Sequence, residues 1–294
     1  MRFALFFGCN IPARVTHYAD ATMAVLKKVD VEFTQIPAFN CCGYPVQNFE
    51  HRAFILSTAR NLALAEKDGL DMLVLCKCCY GAIKKGENLL KTDAELQKEI
   101  NLILAGEGLK YEGSVQVKHL LSVLYHDVGL DKIKNQVLKP YEGLVIAPSY
   151  GCHALRPSHI TQFDDPVAPK IFGKLVEITG AYSIDWAHAT DCCGAPLLGI
   201  NDDLSTDMAK KKLGAGKKTG AHFICTACPY CQMQFDVIQK RIAIKDQNWE
   251  TLSSILYPQL LGLAMGIDKD KLGINNNRLD VSGVTSFLGS KKKW

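Results

Sequence analysis

Two stretches of this chain, FNCCGYP (39–45) and TDCCGAP (190–196), place adjacent cysteines before a glycine and, two residues on, a proline. Adjacent cysteines are poor disulfide partners. The ring they would close strains the peptide, and a bridge wants Cα atoms about 4.4–6.8 Å apart with converging Cβ atoms. Two thiolates leaving one tight turn can instead serve neighbouring metal ions of one centre. The pairs belong to a larger pattern. A lone Cys9 precedes Cys41 and Cys42, followed by Cys76-x-x-Cys79; a lone Cys152 precedes Cys192 and Cys193, followed by Cys228-x-x-Cys231. Between pair and C-x-x-C lie 33 residues in the first set and 34 in the second. The chain therefore reads as two copies of one cysteine framework, dividing near LKPYEG into domains 1–140 and 141–294.

Twelve cysteines in 294 residues, 48% of them apolar, make a heavy thiol load on a chain long enough for one large or two ordinary domains. The start MRFALFFGCN has too short an apolar run for a signal peptide and leads straight into Cys9. No stretch reaches the roughly 18 apolar residues of a membrane span. The expectation is a cytoplasmic protein, not integral to a membrane, whose cysteines do metal or redox work. A net charge of +4 without clustered basic and aromatic readers argues against nucleic acid.

Apolar runs lead into the cysteines: RFALFF into Cys9, GLVIAPSY into Cys152, LDMLVL into Cys76 and AHFICTA into Cys228. Weaker extended stretches, VDVEFTQIP and GAYSIDWA, precede the two pairs. These read as buried strands. Helical patterns lie between them at 51–67 and 202–218, with Asp202 and Asp203 expected as N-cap and first turn of the latter. Three strand–loop–helix units per half predict an α/β fold: two tandem pseudo-symmetric halves, each with a small parallel sheet and right-handed crossovers. Its cysteine loops fall at strand carboxyl ends, where such sheets bind ligands. LSSILYPQLLGLAMGI (252–267) reads as an apolar helical segment of the core, and SKKKW (290–294) as a loose tail.

Five matched thiols per half exceed the four that tetrahedral zinc or a cubane cluster needs. CTACPYC begins a ferredoxin-like run, but no cysteine follows Cys231. The surplus favours a polynuclear iron–sulfur centre of unusual shape, with Gly43 and Gly194 letting the backbone approach it. Cys78 and Cys225 lack counterparts and read as small buried non-ligands. Two other arrangements stay open: iron in one half and zinc in the other, through Cys225-x-x-Cys228-x-x-Cys231, or a zinc-stabilised scaffold.

With FFGCNIPAR, FNCCGYP, LCKCCY, SYGCHALRP and CCGAPLLG, the chain resembles the CCG-domain (cysteine-rich domain) family, within it the heterodisulfide reductase B subunits of methanogenic archaea. The resemblance implies two noncubane [4Fe–4S] clusters, one on Cys9, Cys41, Cys42, Cys76 and Cys79, the other on Cys152, Cys192, Cys193, Cys228 and Cys231. It implies a multi-subunit oxidoreductase that reduces the mixed disulfide of coenzyme M and coenzyme B to two thiols; the duplication suggests that the disulfide lies between the two clusters, each taking one sulfur and delivering one electron. The implied partners are a small ferredoxin-type iron–sulfur protein (the C subunit), a flavoprotein (the A subunit), and a hydrogenase or other donor. The same framework also serves as an electron-transfer module in other complexes.

Anionic ends on both thiols call for basic contacts, for which Arg14, Lys77, His153 and Arg156 stand near the cysteine loops. His153, beside Cys152, is the candidate proton donor, with hydrogen bonding to the cluster as its other role. Arg156 is expected to touch substrate or cap a helix. Lys212 is a further catalytic candidate, although its KKK run reads as a solvated face. His17, His119, His126 and His188 read as structural or surface residues.

Overall fold

The computed structural model describes residues 1–290; the rest of the SKKKW terminus lies outside the described residues. Each half builds one wholly parallel four-stranded sheet. The first contains β1 (Arg2–Phe6), β2 (Glu32–Thr34), β3 (Asp71–Val74) and β4 (Val117–His119), in the order β2-β1-β3-β4. The second contains β5 (Val145–Pro148), β6 (Tyr182–Ser183), β7 (Phe223–Thr226) and β8 (Ser254–Leu256), in the order β6-β5-β7-β8. The central strands pair Phe3 with Asp71 and Ile146 with Phe223. Phe3 to Phe6 and Met72 to Val74 are buried, because helices cover a parallel sheet on both faces. In each sheet the chain runs outward first and then returns to the other side of the first strand. The crevice of the fold therefore opens beyond β1 and β3, and beyond β5 and β7.

The sequence predicts three strands per half, and four are present. β4 and β8 are three-residue edge strands, too short to show alternation, and β8 occupies the start of the apolar stretch read as helical. The helices that matter for the site are α1 (Asn10–Arg14), α2 (Thr16–Lys28), α3 (His51–Lys67), α4 (Lys77–Thr92), α5 (Asp202–Lys218), α6 (Pro229–Met233) and α7 (Tyr257–Ala264). α6 continues through a π-helical stretch to Lys245. α3 and α5 have the expected bounds, but the N-cap of α5 is Asn201, whose side chain accepts from the Leu204 N–H at 3.0 Å. Asp202 lies in the first turn, where its carboxylate accepts from the Gly199 N–H and faces the positive helix end.

The halves close on each other along a seam. α2 packs against α7, α1 against α6, and α4 against the short helix Ser158–Thr161. All of α7 is buried, so the apolar stretch is interior. Gly81 marks the tightest approach: a Cβ there would collide with the His153 carbonyl. His17 meets Gly273 across the seam, and the ring of His119 lies 5.9 Å from that of Tyr80 on α4. His126 is exposed, and His188 binds the Asp191 carboxylate at 2.7 Å. Among the described residues no helix is long and apolar enough to cross a membrane.

Gly81→Ala is expected to destabilise by about 1–3 kcal/mol, since backbone must move to admit the methyl group. Gly214→Ala, inside α5 with nothing within 4 Å of a new Cβ, is expected to stabilise by about 0.5–1 kcal/mol. Urea midpoints at unchanged m check both. Burial pushes His17 down to about 4, helped by Arg278, and His119 down to about 3, helped by Lys77. Both lie below the unfolded value of about 6.5, so the folded state binds fewer protons. The stability this protects is full above that value and is lost as pH falls through it, by up to about 1.4 kcal/mol per pH unit for each histidine. A urea midpoint equal at about pH 7.5 and about pH 5 would refute this linkage.

Candidate metal centre

The cysteines gather at the carboxyl ends of the strands. Cys9 follows β1 and caps α1, Cys41 and Cys42 follow β2, and Cys76 caps α4 with Cys79 in its first turn. Cys152 follows β5, Cys192 and Cys193 follow β6, and Cys228 caps α6 with Cys231 in its first turn. A helix start leaves N–H groups unpaired and favours negative charge. Cys228 is lowered well below the ordinary thiol value, whereas neighbouring thiols and burial push Cys79 and Cys231 well above it.

The two C-C-G turns are built alike. Gly43 and Gly194 have φ +82° and +85°, and an added Cβ would press on the Phe54 carbonyl of α3 at 3.0 Å and on the Ser205 carbonyl of α5 at 2.5 Å. Only glycine meets both demands. The Gly194 N–H points at Cys192 Sγ, 3.4 Å away. Hydrogen bonds from Cys42 and Cys9 hold the Cys41 thiol well below its ordinary value, and those from Cys152 and Cys193 do the same for Cys192.

The thiols are linked in one order. In the first half the ionisation of Cys9 is tied to that of Cys41, Cys41 to Cys42, Cys42 to Cys79, and Cys79 to Cys76. In the second the sequence is Cys152, Cys192, Cys193, Cys231 and Cys228. The ends of the two series meet: Cys76 Sγ lies 3.9 Å from Cys228 Sγ. All twelve thiols are free.

Two basins result, and each half helps to wall the other's. Pro229 and Tyr230 line the first basin, whereas Lys77, Cys78 and His153 line the second. Cys78, left out of the expected ligand sets, borders both. Its Sγ lies 3.5 Å from His153 Nδ1 and within 4.8 Å of the Cys76 and Cys228 thiols. Only the fold could reveal this, because Cys78 has no counterpart in the repeat. Cys225 is buried within β7 and lines neither basin. His153 Nδ1 is 3.2 Å from Cys152 Sγ, and its ring stands edge-on to Tyr44 at 4.9 Å.

The basic candidates divide sharply. Arg14 and Arg156 are exposed, and Arg156 reaches Thr190 Oγ1 at 3.4 Å. Lys77 and Lys212 are not cleft cations facing solvent, as a substrate contact or a solvated face would require. They are 2% and 1% exposed. Lys77 Nζ donates to the Ser149 carbonyl at 3.0 Å, and Lys212 Nζ donates to the carbonyls of Asp191 and Ala189 at 2.6 and 3.3 Å. Burial lowers the pKa of both, and the thiolates of Cys231 and its neighbours oppose that shift.

All five expected thiols line the second basin, whereas Cys9, Cys42, Cys76 and Cys79 line the first without Cys41. Thiols gathered in this number fit a polynuclear metal–sulfur centre, and the N–H-rich helix starts fit its negative charge. The comparisons agree with that chemistry. The chain is 33% identical to the B subunit of the ferredoxin:CoB-CoM heterodisulfide reductase of Methanosarcina mazei, over 94% of this chain and 93% of that one. It is 31% identical to the 8-methylmenaquinol:fumarate reductase membrane anchor subunit of Wolinella succinogenes, over 95% and 98%. A hypothetical protein from Helicobacter pylori shares the fold with a TM-score of 0.75 at 18% identity, covering 95% of this chain and 52% of that one. The profile of the cysteine-rich CCG domain matches residues 3–84 and 146–236. The chain is therefore a member of the CCG cysteine-rich domain family, carrying that domain twice.

Proposed function

We propose that this protein is the disulfide-reducing subunit of a heterodisulfide reductase, acting on the mixed disulfide of coenzyme M and coenzyme B. Cys9, Cys41, Cys42, Cys76 and Cys79 would hold one noncubane [4Fe–4S] cluster, and Cys152, Cys192, Cys193, Cys228 and Cys231 the other. The observation that carries the reading is the repeated thiol order, lone–pair–C-x-x-C, in two basins that share a wall. Such clusters supply redox-active iron that can also serve as a Lewis acid for sulfur.

The chain's own side chains shape what reaches the centres. Cys9 is exposed and Cys41, Cys152 and Cys192 are half-buried, so this side of both basins faces outward, while both C-x-x-C motifs close the inner side. His153 lines the second basin, half-buried beside Tyr44, and would give a proton to a departing thiolate. The exposed guanidinium groups of Arg14 and Arg156 suit the anionic ends of the substrate. Unpaired thiols in this number fit a reducing cytoplasm. The electron source would be a small ferredoxin-type C subunit together with a flavoprotein A subunit and a hydrogenase or other donor. Likeness to a fumarate reductase subunit favours a second reading, an electron-transfer subunit without a disulfide substrate.

Anaerobic reconstitution is expected to give about eight irons with matching sulfide and no zinc, falling to about four in Cys42→Ser and in Cys193→Ser. About four irons plus one zinc in the unaltered chain would reject the two-cluster reading. Turnover of the coenzyme disulfide by a chemical reductant separates the first reading from the second. In that assay His153→Asn should slow turnover about 100-fold at unchanged iron content, and an unaltered rate would remove His153 from proton transfer.

A further inference from the structure

The two basins share their thiol order, glycine turns and helix starts, so whatever these features do to a bound centre they do to both. They differ in buried charge. Aligning His51 with Asp202, the first residues of α3 and α5, sets Asn61 opposite Lys212. The pair does one structural job. Asn61 accepts from the Asn40 N–H at 2.9 Å and donates to the Cys41 carbonyl at 3.1 Å, bracing the first C-C-G turn. Lys212 braces the second through the carbonyls of Asp191 and Ala189. The first brace is neutral and the second carries an ammonium group.

A second asymmetry points the same way. Lys77 follows Cys76 in sequence, yet its side chain crosses the seam to Ser149 and lines the second basin. Its counterpart after Cys228 is Pro229, which lines the first basin without charge. Neither lysine makes an ion pair with a carboxylate among the described residues. A buried ammonium is very unfavourable unless negative charge lies close by, and a metal–thiolate centre in the second basin would supply it. The cysteines whose charge acts most on Lys77 are Cys231 and Cys228, and on Lys212 they are Cys231 and Cys193. Among the described residues no cation lines the first basin.

We infer that Lys77 and Lys212 make the second centre the easier to reduce, so that an electron from a low-potential donor settles on Cys152, Cys192, Cys193, Cys228 and Cys231 before it settles on the first set. Reduction adds one negative charge, and fixed positive charge in a water-poor interior stabilises the reduced form. The two lysines act through the thiolates and touch no substrate; they are positioning residues. This inference rests on the two-cluster reading above.

The test uses the full chain, reconstituted anaerobically, with iron, zinc and sulfide counted before any potential is measured. A count below about eight irons would overturn the two-cluster reading itself, and the inference with it. In the fully loaded protein, a dithionite titration followed by electron paramagnetic resonance should show two reduction waves. We expect at least tenfold unequal sharing of the first electron, which for one electron is about 59 mV. Cys193→Ser should abolish the upper wave. Lys212→Gln and Lys77→Met should each lower the upper wave and leave the lower one in place, whereas Lys212→Arg should keep both. Coincident waves in the unaltered protein would overturn the inference. So would loss of the lower wave in Cys193→Ser, or a loaded Lys212→Gln with its upper wave unmoved.

Discussion

The organisation of this protein turns on two helix starts brought nose to nose. α4 and α6 begin at Cys76 and Cys228, whose sulfur atoms lie 3.9 Å apart, so the positive ends of two helix dipoles face one another across the seam. Such ends repel unless negative charge lies between them. The C-x-x-C motif sets two sulfur atoms at each helix start, and of these Cys228 is held well below the ordinary thiol value. The rest follows from geometry. With the helix starts fixed, the C-C-G turns and lone cysteines close each basin from outside, and each half's C-x-x-C helix supplies a wall of the other's basin.

The duplication was legible because cysteines carry their chemistry in spacing. The 17-residue bounds of α3 and α5 were legible because helical patterning and the residues flanking it agree. Short edge strands left no such mark: β4 and β8 exist through pairing with β3 and β7, a tertiary fact. Lys212 shows the same limit on a single residue. In sequence it is the last of three lysines on a polar helix; in the fold it is the one that turns inward to the C-C-G turn. Its equivalence with Asn61 was available in the repeat, since one polar bracing group replaced another at matched positions. Cys78 gave no comparable signal, because its role as common wall arises only when two distant segments meet.

The seam also explains why the halves differ where they touch. A duplicated unit that packs on its own copy can keep equal ligand sets, but along the seam its matched residues meet different neighbours. Lys77 and Cys78 on one side stand against Pro229 and Tyr230 on the other, and the bulk and charge of each basin's inner wall are set by its neighbour.

The packing of α2 on α7 bears on how the chain is made. α7 and the segment that carries Gly273 against His17 come from the last fifth of the sequence, yet they cover a helix from its first thirty residues. During synthesis the first sheet can form early, but one flank of α2 stays open to water until the C-terminal segment emerges. Completion of the first half is thereby deferred until the helix of the second half that covers α2 has been made.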